Sequence, residues 1–470
     1  MNDAAHDLHA PHFIGIGGAG MSGLAKILAV RGARVSGSDS KESETVLALR
    51  ALGARVHVGH AASNVPDGAS SIVVSSAIRE DNPELAAARG RGIPVVHRSD
   101  ALAALMGGRR ALAVAGTHGK TTTTSMLAVS LAELGLDPSY AIGGDLDAPG
   151  SNAHHGTGEI FVAEADESDR SFHKYAPEVA IVLNVELDHH ANYASIEEIH
   201  ESFETFVGRI TPGGTLVISA DHAGARELTA RLAGRDGGPN IVTVGAAEDA
   251  TVRVLSVVAR GMTSEVTVLV DDAELTFTVS VPGRHYAHNA VAALAAGAAL
   301  GVPPTDLAKA LGAYTGVRRR LQLKGEAGGV QVIDSYAHHP TEMTADLEAV
   351  REGLEGRGRV LVVFQPHLFS RTQQLAEEMG QALALADASV VLDIYPARED
   401  PIAGVTSELI IDAAHRAGAD VTAEHAFDAA PALLAGLARP GDLLLTMGAG
   451  DVTNLGPEIL EHLANVATNA

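Results

Sequence analysis

The chain has 470 residues and 46% hydrophobic content, which predicts two to four globular domains because one core cannot serve such a length. A formal net charge of −24 argues against nucleic acid or an anionic membrane as the main partner, since both favour clustered Lys and Arg. The chain contains no cysteine, which excludes disulfides and thiolate chemistry. We recognise no signal peptide or membrane span and expect a cytoplasmic protein, either a monomer or a homodimer.

The first segment alternates strands and helices, starting with a strand over His12–Ile16. A glycine run and a helix to about Leu28 follow, and Asp39 closes the second strand. A G-x-G-x-x-G pattern between strand and helix predicts a doubly wound domain whose loop donates backbone N–H groups to a diphosphate. This geometry alone does not distinguish NAD from a UDP-sugar. We place this domain at residues 1–108.

A second phosphate loop is indicated by GTHGKTTTT, residues 116–124, which lies between an apolar strand and a helix. Glycines that lead into a helix N-terminus direct several N–H donors at one anion, and Lys120 would reach the terminal phosphates with Thr121 near magnesium. We expect the Lys120 side chain in an exposed loop. The standard motif has a glycine where this chain has Val114, so the loop is shorter. A simple strand-to-helix turn remains the alternative.

Acidic residues follow two strands that should lie beside this loop. Four acids occur within Glu164–Asp169, and Asp188 and His189 follow the next strand. The carboxyl ends of parallel strands meet at one edge of a sheet, so these groups are candidates for holding one or two magnesium ions. The alternatives are a solvated acidic loop and a structural histidine.

The sequence pattern changes in the rest of the central segment. Residues 251–281 alternate apolar and polar side chains with a turn at Asp271-Asp272, which predicts antiparallel strands added to a parallel sheet. A helix over 286–300 follows, and Asn289 near its start could contact adenine or cap the helix. We place this central domain at 109–316.

A third series of strands and helices starts at Val330, and we place a C-terminal domain at 317–470. Three adjacent arginines, Arg318–Arg320, lie at the boundary and could clamp an anion, or could be ordinary surface residues. The stretches 334–340 and 365–372 carry His, Tyr and Arg after strands, where open α/β sheets bind ligands. His pairs before proline could also fill turns. The fold class is therefore α/β with three domains, of which the central one has a mixed sheet.

The order of these motifs resembles the Mur ligase family. The matching blocks are GIGGAGMSGLA, GTHGKTTTT, EADESD, NVELDHH, HNA, VRRR, DSYAHHPTE and QPHLFSRT, spread over nearly the whole chain. The resemblance implies an N-terminal Rossmann-like UDP-sugar domain, a central ATPase domain and a C-terminal Rossmann-like domain for the amino acid. Within the family it favours an ADP-forming enzyme of peptidoglycan synthesis that uses ATP and Mg²⁺ to join L-alanine to UDP-N-acetylmuramate through an acyl phosphate.

The resemblance also implies roles for individual residues. The ATP site would comprise Gly116, Thr117, His118, Gly119, Lys120, Thr121, Thr122, Asn289, Arg320 and Asp334. The UDP-sugar site would comprise Gly15, Gly17, Gly18, Ala19, Gly20, Met21, Ser22, Asp39, Ser75 and Ser76. Tyr336, His338, His367 and Arg371 would line the amino-acid site, and Thr121, Glu164 and His189 would hold magnesium. Lys120, His189 and Arg320 would be catalytic.

Two departures from the family pattern concern the acceptor site. Leu368 stands where many members have arginine, so Arg371 would have to supply the contact to the amino-acid carboxylate; Ser335 stands where some have aspartate. A ligase for a recycled tripeptide is the nearest alternative, and a nucleotide-binding regulator without ligase activity is another. A NAD dehydrogenase would explain the first glycine loop but has no use for Lys120 and Thr121.

Overall fold

The structure is a computed structural model that describes residues 6–146, 151–188, 192–235, 237–397 and 399–469. The chain packs as two compact units. The first contains the described residues up to 256 together with 267–277 and 288–314, and the second contains 257–266, 278–287 and 315 onward. Within the described ranges no helix has the length and apolar character needed to cross a membrane.

The first sheet has five parallel strands in the order β3-β2-β1-β4-β5. Its elements are β1 (Pro11–Ile14), α1 (Ala19–Val30), β2 (Ser36–Asp39), α2 (Glu44–Ala51), β3 (Arg55–Val58), β4 (Ser71–Val74), α3 (Pro83–Gly90), β5 (Val95–His97) and α4 (Arg98–Met106). All four side chains of β1 are buried, as expected for a central strand covered by helices on both faces. The predicted doubly wound pattern is therefore confirmed, while α4 was not predicted.

The second sheet is mixed and has ten strands in the order β15-β14-β13-β12-β11-β10-β6-β9-β7-β8. Its strands are β6 (Arg110–Ala115), β7 (Ser139–Ala141), β8 (Ala153–His154), β9 (Ile160–Glu164), β10 (Val179–Val182), β11 (Thr215–Ser219), β12 (Asn240–Gly245), β13 (Val252–Arg260), β14 (Thr263–Val270) and β15 (Ala273–Val279). The helices are α5 (Lys120–Glu133), α6 (Ile196–Val207), α7 (Ala223–Leu232), α8 (Arg284–Ala299) and α9 (Pro304–Leu311). Strand β6 pairs in parallel with β9 and β10, so the second glycine loop lies between the two acidic strand ends, as predicted.

The strands β13, β14 and β15 lie at one end of the second sheet. Neighbouring strands here are joined by two-residue turns, which requires antiparallel pairing. Asp271 and Asp272 both have positive φ, 46° and 64°, the conformation of a type I′ hairpin turn. The predicted antiparallel addition and its turn are confirmed.

The third sheet has the order β16-β17-β21-β18-β19-β20, in which only β16 runs antiparallel. Its elements are β16 (Gln322–Ala327), β17 (Val330–Ser335), α10 (Pro340–Gly353), β18 (Val360–Phe364), α11 (Phe369–Leu383), β19 (Ala388–Val391), α12 (Glu408–Arg416), β20 (Val421–Ala423), α13 (Ala430–Leu437), β21 (Leu443–Met447) and α14 (Leu455–Asn469). Strands β18 and β21 are buried throughout, which matches sequences that are apolar except at Thr446.

The first sheet and the strands β6 to β12 of the second sheet belong to one compact unit and share one core. Phe13, Leu24 and Met106 of the first sheet's layers belong to the same buried cluster as Phe161 and Phe203 around the second. The Gly107-Gly108 interruption therefore does not separate compact units. The boundaries at 108/109 and 316/317, each of which separates one sheet from the next, stay predictions.

Candidate functional site

The second glycine loop joins β6 to α5 in a conformation that only glycine accepts at two positions. Gly116 has φ 140° and Gly119 has φ 84°. A Cβ on Gly119 would lie 2.8 Å from Oδ1 of Asn289, and one on Gly116 would lie 3.0 Å from Cβ of Leu183. Asn289 thus lies against the loop. It is the sixth residue of α8, so it does not cap that helix, and the capping alternative is wrong.

Asn184, which follows β10, holds this loop in place. The backbone N–H of His118 donates to Oδ1 of Asn184 at 2.7 Å, and Nδ2 of Asn184 donates to the His118 carbonyl at 3.0 Å. The N–H of Glu186 donates to the Thr117 hydroxyl at 2.9 Å. Asn184 had no predicted role, although its place at a strand end beside the loop was a usable signal. These bonds fix the direction of the loop's free donors.

Lys120 is the first residue of α5, and its ammonium group is enclosed. Nζ donates to the Gly116 carbonyl at 2.7 Å and to Glu167 Oε1 at 2.9 Å. Its side chain is 14% exposed and that of Glu167 only 3%, so the expectation of an exposed lysine is wrong. Burial acts to lower the pKa of Lys120, but the carboxylates of Glu167, Asp166 and Glu164 outweigh it and raise the pKa. The lysine therefore stays charged, as binding a phosphate requires.

Glu164 ends β9 beside Thr121. The Thr121 hydroxyl donates to the Glu164 carboxylate at 3.0 Å, and the Gly143 N–H donates to it at 2.7 Å. Burial raises the pKa of Glu164, and Lys120 together with these hydrogen bonds offsets only part of that effect. The two oxygen-bearing side chains predicted to hold magnesium are therefore in contact.

The acidic loop after Glu164 carries a second ion pair. Nη2 of Arg98 donates to Asp166 Oδ2 at 2.7 Å and reaches Asp169 Oδ2 at 3.5 Å. Burial acts to raise the pKa of Asp166, but Lys120 and Arg98 outweigh it and lower the pKa. The carboxylates of this block are thus partners of Lys120 and Arg98 and do not form a solvated loop. No sequence signal pointed to Arg98.

The other acidic strand end is only partly described. Asp188 is buried, and Glu186 lies 3.4 Å from Nε2 of His118 and 3.0 Å from Nε2 of His222. Burial acts to raise the pKa of Glu186, but hydrogen bonds with these two histidines outweigh it and lower the pKa. His189, a predicted metal ligand and catalytic residue, lies outside the described residues.

The first glycine loop joins β1 to α1. Gly15 has φ 77°, and the N–H of Gly17 donates to Asp39 Oδ2 at 2.8 Å. Asp39 therefore holds its own loop, and its contact to the UDP-sugar stays a prediction. Gly18 precedes α1, which begins at Ala19 and leaves its first amides without intrahelical acceptors.

The other residues predicted for the UDP-sugar site lie in α1 or after β4. The side chains of Met21 and Ser22 are buried. Ser75 and Ser76 follow β4, and the Ser76 hydroxyl donates to Asp169 at 2.9 Å.

A cavity of about 260 Å³ connects the surroundings of the two glycine loops within the first unit. Gly20 and Gly23 of the first loop and its helix line one side, and Gly143 and Glu164 line the other. The full lining is Gly20, Gly23, Leu24, Arg98, Ser99, Leu102, Ala141, Ile142, Gly143, Glu164, Asp166 and Tyr175. No residue of the second loop lines this cavity, but Glu164 in its lining accepts a hydrogen bond from Thr121, which directly follows that loop, so the cavity extends to the side chains beside it.

The second unit brings together all the residues predicted to bind the amino acid. The His338 ring lies 5.3 Å from Tyr336 and 5.7 Å from His367, centroid to centroid, and Arg371 Nη1 lies 3.3 Å from His367 Nδ1. Tyr395 stacks on His367 at 5.9 Å and was not predicted. Burial lowers the pKa of His338 to about 3, and Glu342 opposes this only in part.

The arginines before the third sheet point in different directions. Arg319 donates to the carbonyls of Gly448 and Gly450 at 2.5 and 3.0 Å, whereas Arg320 Nη1 lies 3.7 Å from Glu342. Both guanidinium groups lie over the Tyr336 ring, at 4.8 and 5.1 Å.

Asp334 has no exposed surface. It accepts hydrogen bonds from the Thr446 and Thr453 hydroxyls at 2.7 and 2.5 Å. These bonds tie β17 to β21 and the segment after it. A nucleotide contact by Asp334 stays a prediction.

Leu368 occupies an unusual backbone conformation before α11, with φ 73° and ψ 135°. Its N–H donates to the Tyr395 carbonyl at 3.0 Å. Strain of this kind is found where surrounding contacts force a loop into place, and costs about 1–3 kcal/mol. The contact between Leu368 and Tyr395 joins the segment that carries His367 and Arg371 to the loop after β19.

An α/β fold with two glycine loops is thus combined with a cluster of Tyr, His and Arg side chains in the second unit. The chain matches the Mur ligase family, catalytic domain, at 11–110, the Mur ligase middle domain at 114–297, and the Mur ligase, glutamate ligase domain, at 319–450. It is 78% identical over 454 residues to the UDP-N-acetylmuramate–L-alanine ligase of Streptomyces coelicolor, covering 97% of each chain. The corresponding protein of Saccharopolyspora erythraea is 54% identical, with 97% of this chain and 94% of that protein covered.

Solved structures agree. The UDP-N-acetylmuramate-alanine ligase of Thermotoga maritima superposes with a TM-score of 0.81 at 29% identity, covering 97% of this chain and 99% of that one. A murein peptide ligase of Psychrobacter arcticus has a TM-score of 0.72 at 24% identity, covering 97% of this chain and 99% of that one, which shows the shared fold alone. The chain belongs to the Mur ligase family. The family predicted from the motifs and the three-domain α/β fold are confirmed.

Proposed function

We propose that this chain joins L-alanine to the lactyl carboxylate of UDP-N-acetylmuramate at the expense of ATP, in the cytoplasm, as a step of peptidoglycan precursor synthesis. The names of its relatives support this assignment. The observation that carries it is the cavity that runs from the start of α1 to Glu164, the neighbour of Thr121 beside the second loop, because a carboxylate and a terminal phosphate must meet. The UDP diphosphate would bind the first loop and the ATP phosphates the second.

The reaction would proceed in two displacements. A carboxylate oxygen attacks the γ-phosphorus of ATP while the bond to the ADP oxygen breaks, and ADP leaves with the electron pair. The amine of L-alanine then attacks the acyl carbon, the bond from that carbon to the phosphate oxygen breaks, phosphate leaves with the electron pair, and the nitrogen loses one proton to solvent. Lys120, kept charged by its acidic neighbours, would meet the charge that spreads over the transferred phosphoryl group.

A magnesium ion fits the side chains beside Lys120. Thr121 and Glu164 present oxygen atoms within 3.0 Å of each other, and oxygen is the ligand type that Mg²⁺ prefers. By resemblance, His189 would be a further ligand. When bound, Mg²⁺ neutralises charge on the β- and γ-phosphates. Thr121 and Glu164 would orient the phosphate chain, and Asn289 beside Gly119 would contact the adenine.

The acceptor would bind at the cluster of the second unit. A guanidinium can pair with both oxygens of a carboxylate, which favours Arg371 for the L-alanine carboxylate. Tyr336, His338 and His367 would surround the amine and methyl groups. Arg320 and Asp334 are the residues of this unit that the resemblance assigns to the nucleotide.

The test is phosphate release from ATP with UDP-N-acetylmuramate and one acceptor at a time. We expect release to require both L-alanine and the UDP-sugar. A clear preference for a tripeptide would favour the recycling ligase instead. ATP binding without release with any acceptor would favour a nucleotide-binding regulator.

A further inference from the structure

Arg98 is placed to contact a ligand in the cavity between the glycine loops. It begins α4, and its Nη2 is engaged by Asp166 and Asp169 at 2.7 and 3.5 Å. Among the residues that the structure describes, neither Nη1 nor Nε of Arg98 has a hydrogen-bond partner. The side chain is 25% exposed and lines the cavity. One edge of the guanidinium is therefore fixed and the other is available.

The available edge lies at the N-terminus of α1. A Cβ on Gly20 would lie only 2.7 Å from Nη1 of Arg98, so the glycine makes room for the guanidinium. Gly20 is the second residue of a twelve-residue helix whose first turn contains no acid. The positive end of the helix dipole and the arginine thus favour an anion at the same place.

Two anionic groups of the UDP-sugar could occupy this position. The diphosphate needs the backbone N–H groups of the glycine loop, which supply its donors without a side chain. The carboxylate must extend from this loop toward Lys120. Asp166, which holds Nη2 of Arg98, is also within the electrostatic reach of Lys120. Arg98 therefore lies on the path of the carboxylate.

We propose that Arg98 binds the reacting carboxylate of the UDP-sugar through its Nη1 edge, and that Asp166 and Asp169 orient it. This inference rests on the proposed function. A guanidinium offsets the repulsion between a carboxylate and the γ-phosphate of ATP, and it keeps its proton throughout the displacement. It orients the carboxylate better than a lysine would, because Asp166 and Asp169 hold the guanidinium plane through Nη2 and so fix the direction of the Nη1 N–H donors.

A structural tie between α4 and the acidic loop is the competing explanation. Lys174 and Asp100 form a second ion pair between α4 and the segment after that loop, at 2.8 Å, and neither residue lines the cavity. Lys174→Gln is therefore a matched control that removes a similar tie without touching the proposed ligand position. The test variants are Arg98→Lys, which keeps the charge but loses the planar fork, and Arg98→Gln.

The experiment measures KM for each substrate and the affinity of two probes, UDP-N-acetylmuramate and UDP-N-acetylglucosamine, which lacks the lactyl carboxylate. We expect Arg98→Lys to weaken UDP-N-acetylmuramate about tenfold or more, with larger loss in Arg98→Gln. Affinity for UDP-N-acetylglucosamine and the KM for ATP should change less than about twofold. Lys174→Gln should resemble the unmodified protein.

Three outcomes would overturn the inference. Equal losses for both probes would assign Arg98 to the diphosphate. Equal losses of UDP-N-acetylmuramate affinity in Arg98→Lys and Lys174→Gln would show that Arg98 only ties α4 to the acidic loop. Unchanged affinity in the Arg98 variants would remove Arg98 from the site. Phosphate release by the unmodified protein decides the proposed function separately: if release does not depend on UDP-N-acetylmuramate, the proposed function itself fails.

Discussion

The ammonium group of Lys120 lies 2.8 Å from Oε2 of Glu167, and both side chains are almost fully enclosed. A phosphate that binds Lys120 must therefore compete with a carboxylate of its own protein. The stability of the second glycine loop also depends on this ion pair, because removing either side chain leaves the charge of the other buried and uncompensated.

Replacing Lys120 by Met should abolish turnover and also destabilise the fold. The loss of one preorganised donor predicts a fall of about 10²–10³ in kcat. The buried Glu167 left behind should lower the free energy of unfolding by about 3–5 kcal/mol. The double variant Lys120→Met/Glu167→Gln should regain stability without turnover. Near-normal phosphate release in either variant would remove Lys120 from the ATP site.

A side chain at Gly17 should weaken UDP-sugar binding selectively. A Cβ there would lie 3.0 Å from Asp39 Oδ2 and 3.1 Å from Val46 Cγ2, so Gly17→Val must move the residue that holds the loop. We expect affinity for UDP-N-acetylmuramate to fall about tenfold or more while ATP binding survives. Gly90→Ala is the control, since its Cβ would meet nothing within 4 Å. Binding of NAD instead of the UDP-sugar would contradict the assignment of this loop.

Arg371→Lys should raise the KM for L-alanine severalfold or more, because an ammonium cannot pair with both carboxylate oxygens. The KM values for ATP and UDP-sugar should change little. A purely structural role would pair Arg371 with an acid of its own helix such as Glu377, but the Glu377 carboxylate lies 2.5 Å from Arg416. Glu377→Gln is therefore a useful control. A lower melting temperature with no change in the alanine KM would show that Arg371 is structural.

The His338 ring should stay neutral between pH 5 and 8, since its pKa lies at about 3 against an ordinary 6.5. Between those two values the unfolded chain binds a proton that the folded chain does not, so His338 makes stability fall as pH drops below 6.5. A titration by NMR, with the signal assigned from the His338→Gln spectrum, checks this. A His338 midpoint near 6.5 would contradict it. With so low a pKa the ring can orient the acceptor amine but is too weak a base to deprotonate it.

The strands with almost wholly apolar sequences could be predicted closely. Residues 360–364 and 443–447, in which Thr446 is the one polar residue, were located from sequence because a strand buried on both faces is a short run of apolar residues. The helix over Arg98–Met106 was missed because Arg98, Ser99 and Asp100 open it without an apolar period, and packing against the first sheet decides its state.

Motif order located the two glycine loops and the acceptor cluster, but it could not pair side chains. Glu167 lies 47 positions beyond Lys120, and Arg98 lies 68 before Asp166, so only the folded chain shows which acid meets which base. Tyr395 belongs to no recognised block and comes to His367 through parallel pairing of adjacent strand ends. Local sequence therefore predicted which strand ends bring polar side chains together, and tertiary packing determined the partners of each side chain.

The position of Tyr336 beneath two guanidinium groups has a practical consequence. The chain contains seven tyrosines and no tryptophan, so its ultraviolet emission comes from tyrosine alone. Tyr336 lies among the acceptor residues, and charges above a phenol ring alter its emission. Under the proposed assignment of this cluster, tyrosine emission should follow amino-acid binding in the unlabelled protein, with Tyr336→Phe identifying the contribution of this ring.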